Sequence, residues 1–175
     1  KIEKYLLSKR NNKISYSILR FATAFGLSDR MRFDLTLNEF VLNIFKKREF
    51  DVYDKDTWRP YCHVLDFASV IYHVINSPKK NIHNQIYNVG LNKNNSTKQM
   101  LVDRISKYLD IKKVKYVSNS IDKRNYRVNF DKLRIKLKYK IKYDIDYGIK
   151  EIIQYLKNNK KINYKKMGNY KVNND

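Results

Sequence analysis

Apolar positions change their period along this chain, and each change marks an element. Ile2, Leu6 and Leu7, with charges between them, predict a helix over residues 1–11, stopped by the polar Asn11 and Asn12. Residues 14–25 predict one strand. Ile18-Leu19 and Phe21-Ala22 form a short run that is apolar on both faces, as in a strand buried in a parallel sheet. Gly26-Leu27-Ser28-Asp29 ends it with turn chemistry. Residues 35–48 carry Leu37, Phe40, Val41, Ile44 and Phe45 at helical spacing, and Phe50-Asp51-Val52-Tyr53 follows as a short strand. Pro60 interrupts the next extended segment and holds Arg59 out of helix. Residues 65–75 predict a strongly apolar helix with Asp66 in its first turn, where a carboxylate suits the helix dipole; Pro78 ends it.

The second half continues the alternation. Residues 86–89 predict a strand, and residues 92–95 a polar loop. Ser96 or Thr97 can cap a helix that buries Met100, Leu101, Ile105 and Leu109. Residues 114–117 predict another strand. Residues 130–137 and 147–156 predict two helices, the second capped by Asp144-Ile145-Asp146. After Lys157 the chain is rich in Lys and Asn and low in aliphatics, so an extended tail is expected. Strands and helices alternating through short turns mean α/β, with some strands parallel. No internal repeat is visible.

Composition bounds the function classes. At 175 residues the chain is long enough for one domain with a real core. It has no Met at position 1 and opens directly in a helical pattern, so it reads as a piece of something longer. The net charge of +21 invites a polyanion partner. However, Lys and Arg are spread along almost the whole chain rather than clustered on one face, which argues against nucleic acid. The excess also comes with abundant Asn, Ile and Tyr, residues that share AT-rich codons with Lys. The single cysteine, Cys62, excludes an internal disulfide framework and fits a reducing compartment. No apolar run approaches the ~20 residues that span a bilayer, so a cytoplasmic, membrane-free protein is expected. No metal site is expected.

Three segments, in order, carry the chemistry: residues 18–26 (Ile18 to Gly26), then residues 58–66 (Trp58-Arg59-Pro60-Tyr61-Cys62-His63-Val64-Leu65-Asp66), then residues 86–90 (Ile86 to Gly90). Each alone is weak. Together they resemble the second half of the extended short-chain dehydrogenases that modify nucleotide sugars, the NAD-dependent epimerase/dehydratase family. Residues 122–133, Asp122 to Leu133, resemble the segment from which that family sends an Arg to the diphosphate. Gly148-Ile149 looks like the start of its final helix. The resemblance implies a partial Rossmann-like parallel sheet, lacking the glycine-rich N-terminal half, with a small α/β substrate-binding lobe. Residues 1–33 and 58–91 would be the remnant of the dinucleotide domain, 34–57 and 92–157 the lobe, and 158–175 a basic tail.

The same resemblance implies roles. Glu3 and Leu6-Leu7 look like the Glu and apolar pair that follow a Tyr-x-x-x-Lys in the family. On that register the catalytic pair falls upstream of Lys1, and no catalytic residue is expected in this chain. Phe21 and Ala22 would lie against the nicotinamide of NAD or NADP. Thr23, where the family commonly has Asn, would sit near the sugar with one hydroxyl instead of a two-sided amide. Arg30 and Arg32, before a helix, could meet a diphosphate. Arg59 would clamp that diphosphate with its planar fork, Tyr61 would lie close by, and Arg124 would be the second arm. His63 and Asp66 are read as structural, with Asp66 as the cap, and Cys62 as packing. The ligand would be a nucleoside-diphosphate sugar, and the full-length protein could be a homodimer. Epimerase, dehydratase and reductase outcomes stay open. A second reading is a non-catalytic nucleotide-sugar or partner-binding module, and a third, favoured only by charge, is a nucleic-acid-binding protein.

Overall fold

Helices and strands alternate as the apolar periods predict, and the exceptions occur where one element serves two neighbours. The computed structural model describes residues 1–8, 15–118, 122–161 and 163–169. In chain order the elements are α1 (Ile2–Ser8), β1 (Ser17–Phe21), β2 (Thr23–Phe25), α2 (Thr36–Phe45), β3 (Phe50–Tyr53) and β4 (Trp58–His63). They continue with α3 (Val64–Ile75), α4 (Lys79–Ile82), β5 (Gln85–Val89), β6 (Asn95–Thr97), α5 (Lys98–Ile105), β7 (Val114–Val117), α6 (Asp131–Leu137) and α7 (Ile145–Asn158). Asn11, Asn12 and Ile14, to which the sequence assigns a helix stop and a strand start, lie outside the described residues.

Parallel pairing dominates. β1 runs beside β5 with Ile18 opposite Ile86 and Phe21 opposite Val89. β2 pairs β4 from Thr23–Tyr61 to Phe25–His63, and β3 pairs β7. β4 also takes β6 on its other edge, antiparallel, with Arg59 opposite Ser96. The strand predicted over residues 14–25 is therefore two strands. The chain changes partner at Ala22, whose amide donates to the Val89 carbonyl before β2 moves to β4. β4 in turn runs straight through Pro60, at the last pair of its ladder with β6, where a missing N–H is tolerated.

Two apolar clusters hold the elements. The first joins Phe25, Leu37, Val41, Leu42, Val52, Tyr61, Leu101, Ile105, Ile149 and Ile152, so α2, α5 and α7 close over β2 and β4. The second joins Cys62, Val70, Val74, Tyr87 and Val89 with Leu133, Leu137 and Ile141. Residues after 130, numbered with the lobe in the sequence division, thus pack against the β1–β5 sheet. From Lys136 to Lys142 every second residue is an exposed lysine, while Leu137 and Ile141 between them are buried. Met100, expected on the buried face of α5, is 38 % exposed.

Caps separate local from non-local reasons. Thr97 caps α5 by accepting from the Met100 amide at 3.1 Å, and Asp144 caps α7 by accepting from Tyr147 at 2.8 Å, both as the spacing predicts. The cap of α3 is His63, whose Nδ1 accepts from the Leu65 amide at 3.2 Å. Asp66 is not that cap. It is fully buried and accepts from the amides of Lys142 and Tyr143, each at 3.0 Å, so it fastens the approach to α7. Burial pushes its carboxyl above the usual range, against those hydrogen bonds.

The described end of the chain is not an extended tail. α7 runs to Asn158, and residues 163–169 fold back. The Phe33 amide donates to the Met167 carbonyl at 2.8 Å, and the Asn169 amide donates to the Asp34 carboxylate at 2.9 Å. Tyr164 and Met167 pack on the first cluster, and the Tyr164 ring lies beneath Lys46 and Arg48. Aromatic and thioether groups placed among lysines supply the burial that aliphatics supply elsewhere. Among the described residues, no helix is long and apolar enough to cross a membrane.

Candidate functional site

The carboxyl ends of β1 and β5 open into a cleft of about 360 Å³. Open parallel sheets bind ligands at that edge. Phe21 lines it from the end of β1, Ala22 from the break after it, Asn88 from β5 and Pro60 from β4; Tyr126, Val128 and Phe130 form the far wall. Phe21 is held by the Phe67 ring, centroids 4.3 Å apart. The far wall is a segment with no regular structure, and side-chain amides hold it in place. Asn125 accepts from the Trp58 amide at 3.0 Å, Asn95 takes the Val128 amide at 2.9 Å, and Asn92 takes the Phe130 amide at 2.9 Å. Gly90 lets Phe130 close in, since a Cβ there would stand 2.5 Å from the ring. On the outer side Arg127 lies over the Trp58 ring at 4.2 Å.

Two arginines lie outside the cleft lining, one of them against a ring that forms its wall. Arg59 is nearly buried, 7 % exposed. Its guanidinium donates to the Trp58 carbonyl at 2.9 Å and lies 5.5 Å from the centroid of Tyr126, the same ring that lines the cleft. Arg124 is exposed and grips Asp122 with two parallel bonds, Nε to Oδ1 at 2.8 Å and Nη2 to Oδ2 at 2.7 Å. Arg59 Nη2 reaches the same Oδ2 at 3.1 Å. Both guanidinium groups therefore meet, and the group they meet on is the carboxylate of Asp122. Hydrogen bonds from Arg124, then from Arg59, hold that carboxyl far below the usual carboxylate range. Lys98 stands close enough to feel both Arg59 and Asp122, and donates to the Tyr53 carbonyl at 2.6 Å.

The other candidates are placed differently. Thr23 opens β2, half-buried, opposite Tyr61. Tyr61 itself is 1 % exposed in the first apolar cluster, and its burial pushes the hydroxyl pKa up; a strand covered on both sides has no outward face to offer a ligand. Arg30 donates to the Asn169 side chain at 2.7 Å. Arg32 forks onto Asp34 at 3.0 and 2.8 Å. These two arginines serve the docked end of the chain and not the cleft. Cys62 is buried packing, its thiol pKa raised by desolvation. Glu3 of α1 grips Arg20, which edges the cleft, with bonds of 2.9 and 2.5 Å.

Sequence reasoning missed Asn88, Tyr126, Val128 and Phe130 as a wall, and Asp122 as the arginines' partner. The Asp-x-Arg spacing of Asp122 and Arg124 is a local signal for one half of that arrangement. Its Arg59 half is brought in only by the fold. Among the described residues, no group of three or more His, Cys, Asp or Glu side chains could hold a metal ion.

Comparison with known proteins follows the same outline. A family model described as the NAD dependent epimerase/dehydratase family matches residues 2–90. Among solved structures, the fold is similar to that of dTDP-glucose 4,6-dehydratase from Bacillus anthracis in complex with NAD, at 23 % identity and a TM-score of 0.75, covering 90 % of this chain and 50 % of that one. UDP-glucose 4-epimerase from Thermotoga maritima with UDP-glucose matches at 22 % identity and 0.72, covering 91 % and 52 %. RMD from Pseudomonas aeruginosa complexed with NADPH matches at 14 % and 0.70, covering 87 % and 52 %. The chain spans about half the length of these structures.

Proposed function

Because this chain belongs to the NAD-dependent epimerase/dehydratase family, we propose that it is the C-terminal segment of an NAD(P)-dependent nucleotide-sugar epimerase, dehydratase or reductase, and that Arg59 and Arg124 bind the diphosphate of the nucleotide sugar. One observation carries the reading. Two guanidinium groups from distant parts of the chain converge on a single acidic group, beside a cleft at the carboxyl ends of parallel strands. Like charges repel, so such convergence needs an anion; in this structure Asp122 is that anion, and a phosphate would have to take its place. A permanently charged planar fork suits phosphate.

The cleft fits the rest of the assignment. Phe21 and Ala22 give a flat apolar floor, and Asn88 places an amide at its edge. That is the chemistry of a nicotinamide ring with its carboxamide, and NAD or NADP, when bound, supplies hydride transfer. Thr23, the next residue along from that floor, offers the sugar one hydroxyl. The solved structures of similar fold with NAD, NADPH and UDP-glucose support the ligand class.

Calorimetric titration with UDP-glucose and dTDP-glucose tests the reading. Arg59→Ala is expected to weaken binding of a nucleoside-diphosphate sugar by about 30-fold, ~2 kcal/mol, the value of a charged hydrogen-bond pair. Arg124→Ala, at an exposed position where folding is not at stake, should weaken it in the same direction. Unchanged affinity in both variants would exclude the clamp.

A further inference from the structure

The acidic group between the two arginines belongs to the chain itself, and this changes how the site would work. We propose that Asp122 is a built-in stand-in for phosphate, which a ligand must displace, and which thereby selects diphosphates over single phosphates. The inference rests on the reading of Arg59 and Arg124 as the diphosphate site.

Charge and geometry both point this way. The seat holds two guanidinium charges and one carboxylate; the nearby Lys98 ammonium is itself offset by Asp54 and Glu39. One negative charge leaves the seat positive. A diphosphate presents one charged group to each arginine and spans both, whereas a single phosphate of similar total charge meets them from one point, as Asp122 already does. The three side chains also differ in freedom. Arg59 has 9 % of its side chain exposed and is fixed from behind by the Trp58 carbonyl and the Tyr126 ring. The Asp122 side chain is 44 % exposed and that of Arg124 71 % exposed. To admit a ligand, the Asp122 carboxylate must give up both guanidinium groups and the Arg124 amide, which donates to its Oδ1 at 3.1 Å, while Arg59 stays in place. The Tyr126 ring beside Arg59 also lines the cleft, so the seat and the cleft share a wall.

Displacement has a predictable signature. A competing internal anion lowers apparent affinity by the fraction of molecules in which the seat is closed. It lowers affinity most for the ligands least able to compete. Because its arginines hold Asp122 ionised far below the usual carboxylate range, neutral pH does not open the seat; ligand charge does.

The experiment titrates the 175-residue chain at low ionic strength with inorganic pyrophosphate and, separately, inorganic phosphate. Wild type is compared with Asp122→Asn, Asp122→Ala, and Asp122→Asn combined with Arg124→Ala; circular dichroism checks each fold. The expected result is that Asp122→Asn binds pyrophosphate about tenfold tighter, the equivalent of one charge-assisted hydrogen bond. It should gain more for phosphate than for pyrophosphate, and lose the gain when Arg124 is removed. The Arg124 control separates the seat from diffuse attraction to a chain of net charge +21. If wild type binds pyrophosphate and the Asp122 variants bind it equally or more weakly, Asp122 is a structural tie, and the displacement model falls while the diphosphate reading stands. If neither wild type nor the Asp122 variants bind pyrophosphate in an Arg124-dependent way, the seat takes no anion and both fall.

Discussion

His63 and Glu151, 88 residues apart, meet at 2.9 Å. His63 Nδ1 accepts from the Leu65 amide, so the proton is on Nε2 and is donated to the Glu151 carboxylate. The same carboxylate oxygen accepts from the Leu27 amide at 3.0 Å. One pair thereby fastens the start of α3, the turn after β2 and the middle of α7. Burial alone would raise the Glu151 carboxyl pKa, but the bonds from His63 and Leu27 outweigh it and hold it below its ordinary value. Glu151→Ala leaves the buried His63 donor and the half-buried Leu27 amide without their acceptor and is expected to lower stability by about 2 kcal/mol. Glu151→Gln, which keeps an acceptor, should recover more than half of that. Urea denaturation of the three proteins measures it; equal losses for Ala and Gln would mean the pair is only packing.

Asp34 sets an acid limit. Its carboxyl is held at about 2, below the ordinary 3.8, first by hydrogen bonds from the Arg32 guanidinium and then, against desolvation, by the Asn169 amide. A carboxyl depressed by folding contributes stability that is complete above its unfolded pKa and is lost as pH falls through its folded one. The window is therefore pH 4 down to pH 2, and the amount is about 2 kcal/mol. Asp34→Asn should lose that stability at pH 7 and show a flatter decline across the window, read by denaturation at stepped pH.

Two glycines are occupied space. Gly26 has φ +100°, and a Cβ there would stand 2.1 Å from His63 Nε2. Gly148 sits inside α7, and a Cβ there would stand 2.4 Å from the Phe25 ring. Helix propensity favours Ala at Gly148 by about 1 kcal/mol, yet overpacking a buried ring costs about 1–3 kcal/mol. Gly148→Ala should be net destabilising, and Gly26→Ala more so, because strain adds to the clash. A melting temperature for Gly148→Ala at or above that of wild type would contradict the packing argument.

Ser96 faces the opposite situation. It is fully buried across the ladder from Arg59, and its hydroxyl has no hydrogen-bond partner among the described residues. Ser96→Ala should leave stability unchanged or raise it by up to about 1 kcal/mol. A loss of that size in thermal denaturation would reveal a partner, such as a buried water.

The contrast among these residues explains what could be read from sequence. Thr97 and Asp144 cap helices because of residues three positions on, and Leu37, Val41 and Ile44 face the core at one helical period; each reason lies within a turn of the residue itself. Arg59 and Arg124 were legible as a pair only through resemblance, since nothing local joins them. The break at Ala22 was not legible, because strands buried on both faces have the same apolar look before and after a change of partner. Asp66 looked like a cap, since a carboxylate in a first turn usually is one, but its partners are amides of residues 142 and 143. Tyr61 beside Arg59 looked like a ligand contact and is core, because a strand covered on both faces gives no polar contrast to tell its two sides apart.

The fold-back of residues 163–169 onto Phe33 and Asp34 makes the chain sensitive to nicking at a place that looks expendable. Lys160 and Lys161 stand exposed in the turn after α7, open to trypsin. A cut there would spare every helix and strand of the two clusters. It would still free the segment whose Met167 carbonyl satisfies the buried Phe33 amide and whose Asn169 amide helps hold Asp34 ionised. A clipped product would thus keep its secondary structure and lose, already at neutral pH, part of the stability that the docked segment and the ionised Asp34 contribute, so a shortened expression boundary before Tyr164 would yield a protein that is folded yet less stable, with a flatter decline between pH 4 and pH 2.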